Sequence, residues 1–348
     1  MSLSNRNKKY RILVTGGTGY IGSHTAVELL NCGYDVVIAD NLANSRPEVI
    51  NAIHKITGKK TSFIKADLCN TGAVKKIFDG KRIDAVIHFA AFKAVGESVE
   101  QPLKYYRNNL LSLLNILELG MKAGLDKIVF SSSCSVYGEP DQLPVNESAP
   151  LKKPESPYGN TKQVSEQILA DTAAALGLRV ISLRYFNPVG AHPSALIGEY
   201  PLASPSNLVP VITQTAIGKR KSFTVFGNDY DTSDGSCIRD YIHVVDLAKA
   251  HVAALRRLFS PGNSRCEVFN LGTGKGHSVF EIINTFEKIS GKKLPYKIGK
   301  RRPGDVVKVY ADTRLANKKL KWYARHTLEE MLVSAWKWEQ ALAKNKIS

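Results

Sequence analysis

The sequence predicts a doubly wound α/β fold, a parallel sheet of Rossmann type followed by a smaller substrate-binding region, and three observations predict it. Short β-branched runs alternate with amphipathic stretches through the first half of the 348-residue chain. Several of these runs are apolar at consecutive positions, the pattern of strands buried on both faces of a parallel sheet. After Phe186 the alternation gives way to a stretch punctuated by Pro188, Pro193, Pro201, Pro205 and Pro210.

The strand-like runs are RILVT (11–15), DVVIA (35–39), SFIKA (62–66), DAVIHFA (84–90), KIVFSS (127–132) and LRVISLRYF (178–186). Between them, stretches such as Ile21 to Asn31, Leu103 to Ala123 and Asn160 to Leu176 are long enough to be crossover helices. Smaller elements are expected at FTVF (223–226), YIHV (241–244) and EVFNL (267–271), all in the second region. The division expected is therefore 1–186 for dinucleotide binding and 187–348 mainly for substrate, with some chain exchange between the two.

Composition excludes several classes. At 43% hydrophobic the chain can bury a sizeable core. MSLSNRNKKY lacks an apolar signal core, and no apolar run approaches the roughly 20 residues that cross a bilayer. A cytoplasmic protein without a membrane partner is the expectation. The five cysteines are scattered and form no C-x-x-C pair, so neither a disulfide framework nor a metal site follows. A net charge of +17 fits nucleic acid, an anionic substrate or a plain basic surface. Because the basic clusters are short and scattered, with no aromatic ladder among them, no nucleic-acid partner is expected.

The first strand runs into TGGTGYIG, Thr15 to Gly22, whose Gly16, Gly19 and Gly22 frame Tyr20 and Ile21 at the opening of a helix. Glycines there permit a tight turn, a close approach of backbone to a pyrophosphate and close helix packing, with the phosphates on the helix N-terminus. A glycine triplet alone also describes an ordinary strand-to-helix turn. Asp40, ending the second strand, answers it as a carboxylate that accepts from ribose hydroxyls and repels a 2′-phosphate. NAD is thereby favoured as the cofactor, while the neighbouring Arg46 leaves NADP open.

In SPYGNTK, Tyr158 and Lys162 are one helical turn apart and share a face, although a surface helix with an extended lysine gives the same spacing. SSSCSVYG places Ser133 just past the fifth strand, where this architecture gathers its chemistry. A free tyrosine has a pKa of about 10, so the expectation is that nearby positive charge, from Lys162 and an oxidised nicotinamide, lowers it. Tyr158 would then remove a hydroxyl proton, Ser133 would steady the developing carbonyl, and Lys162 would also anchor the nicotinamide ribose.

The glycine spacing G-x-x-G-x-x-G resembles the extended short-chain dehydrogenase/reductase superfamily. Within it, TGGTGYIGSHT, HFAAFKAVGES, SSSCSVYG, SPYGNTK, LRYFNPVGAHP, FGNDYDTSDGSCIRDYIHVVDLA and NLGTGKGHSV resemble the UDP-galactose 4-epimerases, over nearly the whole chain. Phe92 stands where that family often carries histidine. The resemblance implies reversible C4 epimerisation of UDP-galactose and UDP-glucose through a 4-keto sugar, with NAD tightly held.

By the same resemblance, Asn41, Asn44 and Ser45 would join Asp40 around the adenosine ribose, with Asp67 and Leu68 near the adenine. Phe89, Ala90, Ala91, Lys93, Asn108 and Phe186 would line the rest of the cofactor. The UDP-sugar would meet Asn187, Asn207, Leu208, Thr224, Val225, Phe226, Arg239, Arg302 and Asp305. Two arginines suit a diphosphate, which they can grip directionally. Val309 falls at a position that gates the sugar pocket in the family, a small residue there accompanying acceptance of N-acetylated hexoses; a plain core valine is the other reading. A homodimer through the helices around 103–123 and 160–176 is also implied.

Other readings share the fold. A sugar-nucleotide dehydratase would need an Asp-Glu pair after the strand-end hydroxyl, and Cys134 and Ser135 stand there instead. A dehydrogenase with exchangeable NAD, or a non-catalytic binder of NAD or nucleic acid, would differ in whether NAD copurifies and in salt-dependent RNA binding.

Overall fold

The computed structural model describes residues 9–80, 82–202, 205, 207–302 and 305–344. Residues 1–8, Ser206 of SNLVP, and Pro303 and Gly304 of RRPGD lie outside them.

The first half alternates strand and helix. It runs β1 (Arg11–Thr15), α1 (Tyr20–Asn31), β2 (Asp35–Asp40), α2 (Glu48–Thr57), β3 (Ser62–Lys65), α3 (Thr71–Phe78) and β4 (Ala85–His88). It continues with α4 (Val95–Glu100), α5 (Pro102–Lys122), β5 (Lys127–Ser131), a 3-10 turn (Cys134–Tyr137), α6 (Pro157–Leu176) and β6 (Arg179–Tyr185). The second half holds β7 (Asn187–Val189), α7 (Leu208–Ala216), β8 (Phe223–Phe226), β9 (Ile238–His243), α8 (Val244–Phe259) and β10 (Cys266–Leu271). After these come β11 (Gly276–Ser278), α9 (Val279–Ser290), β12 (Tyr296–Gly299), β13 (Lys308–Val309), α10 (Arg314–Leu320) and α11 (Leu328–Ala343).

The main sheet has the order β10-β6-β5-β4-β1-β2-β3, and its neighbours are parallel throughout. Side chains alternate across it. Ile12, Val14, Val36 and Ile38 join α1 and α8 in one apolar layer, while Leu13, Val37 and Val86 join α3, α5 and α6 in the other. Consecutive apolar residues are therefore each buried, on opposite faces, at about 1.5–3 kcal/mol per large side chain. The chain reverses its direction of winding between β1 and β4, so their carboxyl ends open a crevice.

EVFNL departs from expectation. Its position in the chain predicts a place in the smaller region, but as β10 it pairs with β6 from Cys266↔Val180 to Leu271↔Tyr185 and completes the main sheet. The helix before it, α8, packs on α1. The reason is register: Phe269 and Leu271 are fully buried against the first layer, and no local pattern says which sheet a strand joins.

The rest of the second half forms its own core, in which Val209, Ile212, Phe223, Val225, Ile282, Phe286, Met331 and Leu332 meet. β9 organises it, pairing with β7, β11 and β13, while β8 pairs with β12. Between the two cores, Val136, Tyr137, Val145, Phe186, Val309 and Ala311 form a small apolar joint.

Candidate active site

The crevice begins at the β1–α1 turn. Gly16 has φ +67°, and a Cβ on it would come within 2.9 Å of the Ala90 amide nitrogen. A Cβ on Gly22 would lie 2.3 Å from the Gly16 carbonyl oxygen, so α1 approaches the turn more closely than any side chain permits. No side chain caps α1 at Gly19, and its amide end faces the crevice. This is a cradle for a dinucleotide pyrophosphate.

Asp40 ties this turn to the following loop. One carboxylate oxygen accepts from the Leu42 amide at 2.9 Å and the Ser45 hydroxyl at 3.2 Å, the other from the Thr18 amide at 3.2 Å. Thr18 and Ser45 share a further hydrogen bond of 2.7 Å. With Asn41, Asn44, Asp67 and Leu68 these residues wall one end of a single cleft. Phe89, Ala90, Ala91, Lys93, Asn108 and Phe186 line its continuation, followed by Ser133, Tyr158 and Lys162. Every residue expected at the cofactor thus lies on this cleft.

At the chemical end, Ser156 caps α6 by accepting from the Gly159 amide at 3.2 Å, which fixes the turn carrying Tyr158. Ser133 begins the 3-10 turn, its hydroxyl accepting from the Ser135 amide at 3.2 Å. The Lys162 ammonium donates to the Ser131 carbonyl at 2.6 Å and lies 4.8 Å from the Phe130 ring centre and 5.9 Å from that of Tyr158. It is only 4% exposed.

The expectation is that Lys162 and an oxidised nicotinamide together lower the tyrosine pKa; the protein's own groups alone act, on balance, in the opposite direction. Burial pushes the Tyr158 hydroxyl up to about 12, although its hydrogen bond with Ser133 pulls the other way. Burial likewise pushes Lys162 down to about 7, against the pull of Glu166. Desolvation outweighs Coulomb attraction here, because Lys162 has lost water while its hydrogen bond goes to a neutral backbone carbonyl.

Of the residues expected at the UDP-sugar, Arg239, Arg302, Asp305 and Phe226 come together. Arg239 on β9 and Arg302 bracket Asp305, at 3.5 and 3.4 Å, and the Arg302 guanidinium lies 5.1 Å from the Phe226 ring centre. Thr224 and Phe226 are exposed on β8, whereas Val225 is 1% exposed and points into the second core, leaving its backbone alone for a ligand. Asn187 opens β7; Leu208 opens α7, preceded by Asn207, which lines the main cleft. Arg239 and Asp240 are the charges that act on Cys134, the residue after Ser133. Val309 pairs in register with Arg239 but is 5% exposed, packed with Phe186 and Ala311, as the core-valine reading has it.

Sequence reasoning missed the segment after Gly198. Glu199 accepts from Lys93 at 2.9 Å and from Asn207 at 2.8 Å, Tyr200 lies under the Arg46 guanidinium at 4.3 Å, and the Leu202 amide donates to Asn44 at 3.3 Å. Glu199, Tyr200 and Pro201 line the cleft from the second region. No motif marks them; their partners are more than 100 residues away for Lys93 and Asn44. Among the described residues there is no group of His, Cys, Asp and Glu able to hold a metal ion, and no helix is long and apolar enough to cross a membrane.

Comparison with known proteins places these features in context. Residues 12–272 match the model of the NAD dependent epimerase/dehydratase family. A UDP-glucose 4-epimerase of Bacillus subtilis is 52% identical over 95% of this chain and 97% of its own. A UDP-glucose 4-epimerase structure from Bifidobacterium longum, in complex with NAD+ and UDP, superposes with a TM-score of 0.92 at 46% identity, covering 97% of this chain and 99% of that one. Another from Stenotrophomonas maltophila, with bound NAD and formylated UDP-arabinopyranose, gives 0.93 at 48% identity, covering 97% and 99%.

Proposed function

The chain belongs to the NAD dependent epimerase/dehydratase family, and we infer from its similarity to UDP-glucose 4-epimerases along nearly its whole length that it interconverts UDP-glucose and UDP-galactose at C4. It is an isomerase that works with NAD. The observation that carries this reading is one cleft lined from the glycine cradle through Asp40 to Ser133, Tyr158 and Lys162. The cradle fits a dinucleotide by the absence of Cβ atoms at Gly16 and Gly22, where any would collide with backbone.

When bound, NAD supplies a reversible two-electron acceptor and a positively charged ring at the chemical end of the cleft. The residue roles are proposals supported by placement. Tyr158 holds the proton of the C4 hydroxyl while the sugar is at the ketone level, and returns it after the sugar has turned over. Ser133, within hydrogen-bonding reach of the Tyr158 hydroxyl, donates to the same sugar oxygen and steadies its changing charge. Lys162 fixes the end of β5 through Ser131 and anchors the nicotinamide ribose. The Tyr158 hydroxyl, at about 12 before any ligand arrives, needs added positive charge to become a base, so proton removal is tied to occupancy of the cleft.

Arg239 and Arg302, with Asp305 between them, serve the diphosphate and the uridine ribose in this proposal, leaving the hexose free to present either face. The chain divides its labour at about residue 186, with β10 and α8 returning to the dinucleotide-binding part. We propose a cytoplasmic homodimer; what supports the dimer is that Leu103 on α5 is 81% and Leu176 on α6 is 67% exposed, apolar surface that a partner would cover. Incubation of purified protein with UDP-galactose, without added cofactor, tests the function. UDP-glucose is the expected product; its absence from protein shown to contain NAD refutes the reading.

A further inference from the structure

Three charged side chains lie buried together at the floor of the cleft, which Lys162 lines and behind which Glu166 and Arg184 form an ion pair. Glu166 is 9% exposed, Arg184 4% and Lys162 4%. Tyr158, Lys162 and Glu166 follow one another at intervals of four on α6, so they share one face. The Glu166 carboxylate accepts the Ser132 hydroxyl at 2.5 Å and receives Arg184 in a fork, from Nε at 2.9 Å and from Nη2 at 2.5 Å. Arg184 continues to the Tyr137 hydroxyl at 3.0 Å, and Tyr137 donates to Asn270 on β10 at 2.7 Å. The same carboxylate stands one helical turn from Lys162 and attracts it through space, and a buried charge without a counter-charge is costly.

Resting on the function proposed above, we propose that Glu166 is a positioning residue for this reaction: it locks α6 to the end of β5, and its carboxylate, held in a fork by Arg184, is the counter-charge that acts on Lys162 from one helical turn away. Among the described residues, the other groups facing Lys162 carry no negative charge. Tyr158 on α6 is held protonated by burial. His88 on β4 is held neutral, pushed down to about 3 by burial and then by Lys162 itself. β5 offers the Phe130 ring and the Ser131 carbonyl, and the Tyr185 hydroxyl on β6 is bound to Ser131. The charge state of Lys162 near neutrality therefore depends on how Glu166 is divided between its two cations.

Opposite substitutions separate this from a merely structural role. Glu166→Gln keeps the shape and leaves Arg184 uncompensated beside Lys162; Arg184→Met frees the carboxylate for Lys162 alone. The titration of Lys162 is read from the 13Cε signals of labelled lysine in the purified protein carrying its NAD, assigned by their loss in Lys162→Ala. The midpoint is expected to fall in Glu166→Gln and rise in Arg184→Met, each by about one pH unit, a tenfold change in the lysine's protonation equilibrium. The descending limb of the pH–rate profile with UDP-galactose should move with it, while KM stays near the wild-type value. Midpoints unmoved, or moved in the same direction by both substitutions, overturn the proposal. If Glu166→Gln does not fold, Arg184→Met decides alone, by an upward shift or none. Absence of turnover in the wild type would instead strike the function and leave the lysine titration to judge Glu166.

Discussion

Gly22→Ala isolates the cradle from everything else in the cleft. The added Cβ would lie 2.3 Å from the Gly16 carbonyl oxygen, 2.8 Å from Gly17 Cα and 3.0 Å from the Gly16 carbonyl carbon, all backbone atoms with no rotamer to yield. The first turn of α1 must therefore back away from the turn that would receive the pyrophosphate. Overpacking of this kind costs roughly 1–3 kcal/mol. Alanine's better helix propensity offsets about 1 kcal/mol of that in overall stability, but it does nothing to restore the cradle. NAD affinity should thus fall by about one to two orders of magnitude, with a modest change in melting temperature. The assay is NAD released per protomer on acid denaturation. Gly96→Ala on α4 is the control, since a Cβ there meets nothing within 4 Å. A Gly22→Ala protein that retains NAD as fully as the wild type would refute the assignment of this turn to the cofactor.

Tyr158→Phe should leave NAD bound and reduce turnover by about 10²–10⁴, some 3–5 kcal/mol of barrier; near-normal turnover would remove the tyrosine from its role. Arg239→Leu should raise KM for UDP-galactose about ten- to a hundredfold, the value of a hydrogen bond to a charged group, with little change in NAD content; an unchanged KM would place the diphosphate elsewhere. The wild type should also interconvert UDP-N-acetylglucosamine and UDP-N-acetylgalactosamine, and Val309→Tyr should lose this activity selectively by overpacking the sugar wall. No N-acetyl turnover in a wild type that converts UDP-galactose readily would show Val309 to be only the core residue its packing suggests.

The dinucleotide half was legible because it is written in local patterns. Strands buried on both faces read as continuous apolar runs, as Ile12 to Val14 do with their alternate layers, and the glycine turn and Asp40 sit at fixed places relative to them. EVFNL was legible as a strand but not as a member of the main sheet, because a strand's partners are set by tertiary packing. β11 and β13 are too short for any periodicity to register. Glu199, Tyr200 and Arg46 left no trace because their pairing spans the chain. The electrostatic balance at Lys162 left no trace in the sequence for a related reason: spacing on a helix gives proximity to Tyr158, whereas the desolvation of both groups depends on the tertiary packing that buries them.

A C4 deuterium label tests most directly whether the sugar's own hydrogen is stored and returned. UDP-galactose deuterated at C4 is converted in ordinary water, with unlabelled NADH added in excess, and the UDP-glucose formed is analysed by mass and NMR. Retention of the deuterium at C4, with none in the added cofactor or the solvent, is the result expected of an epimerase whose NAD stays in the cleft through turnover. Loss of the label to the added cofactor, or its replacement by hydrogen from water, would contradict it.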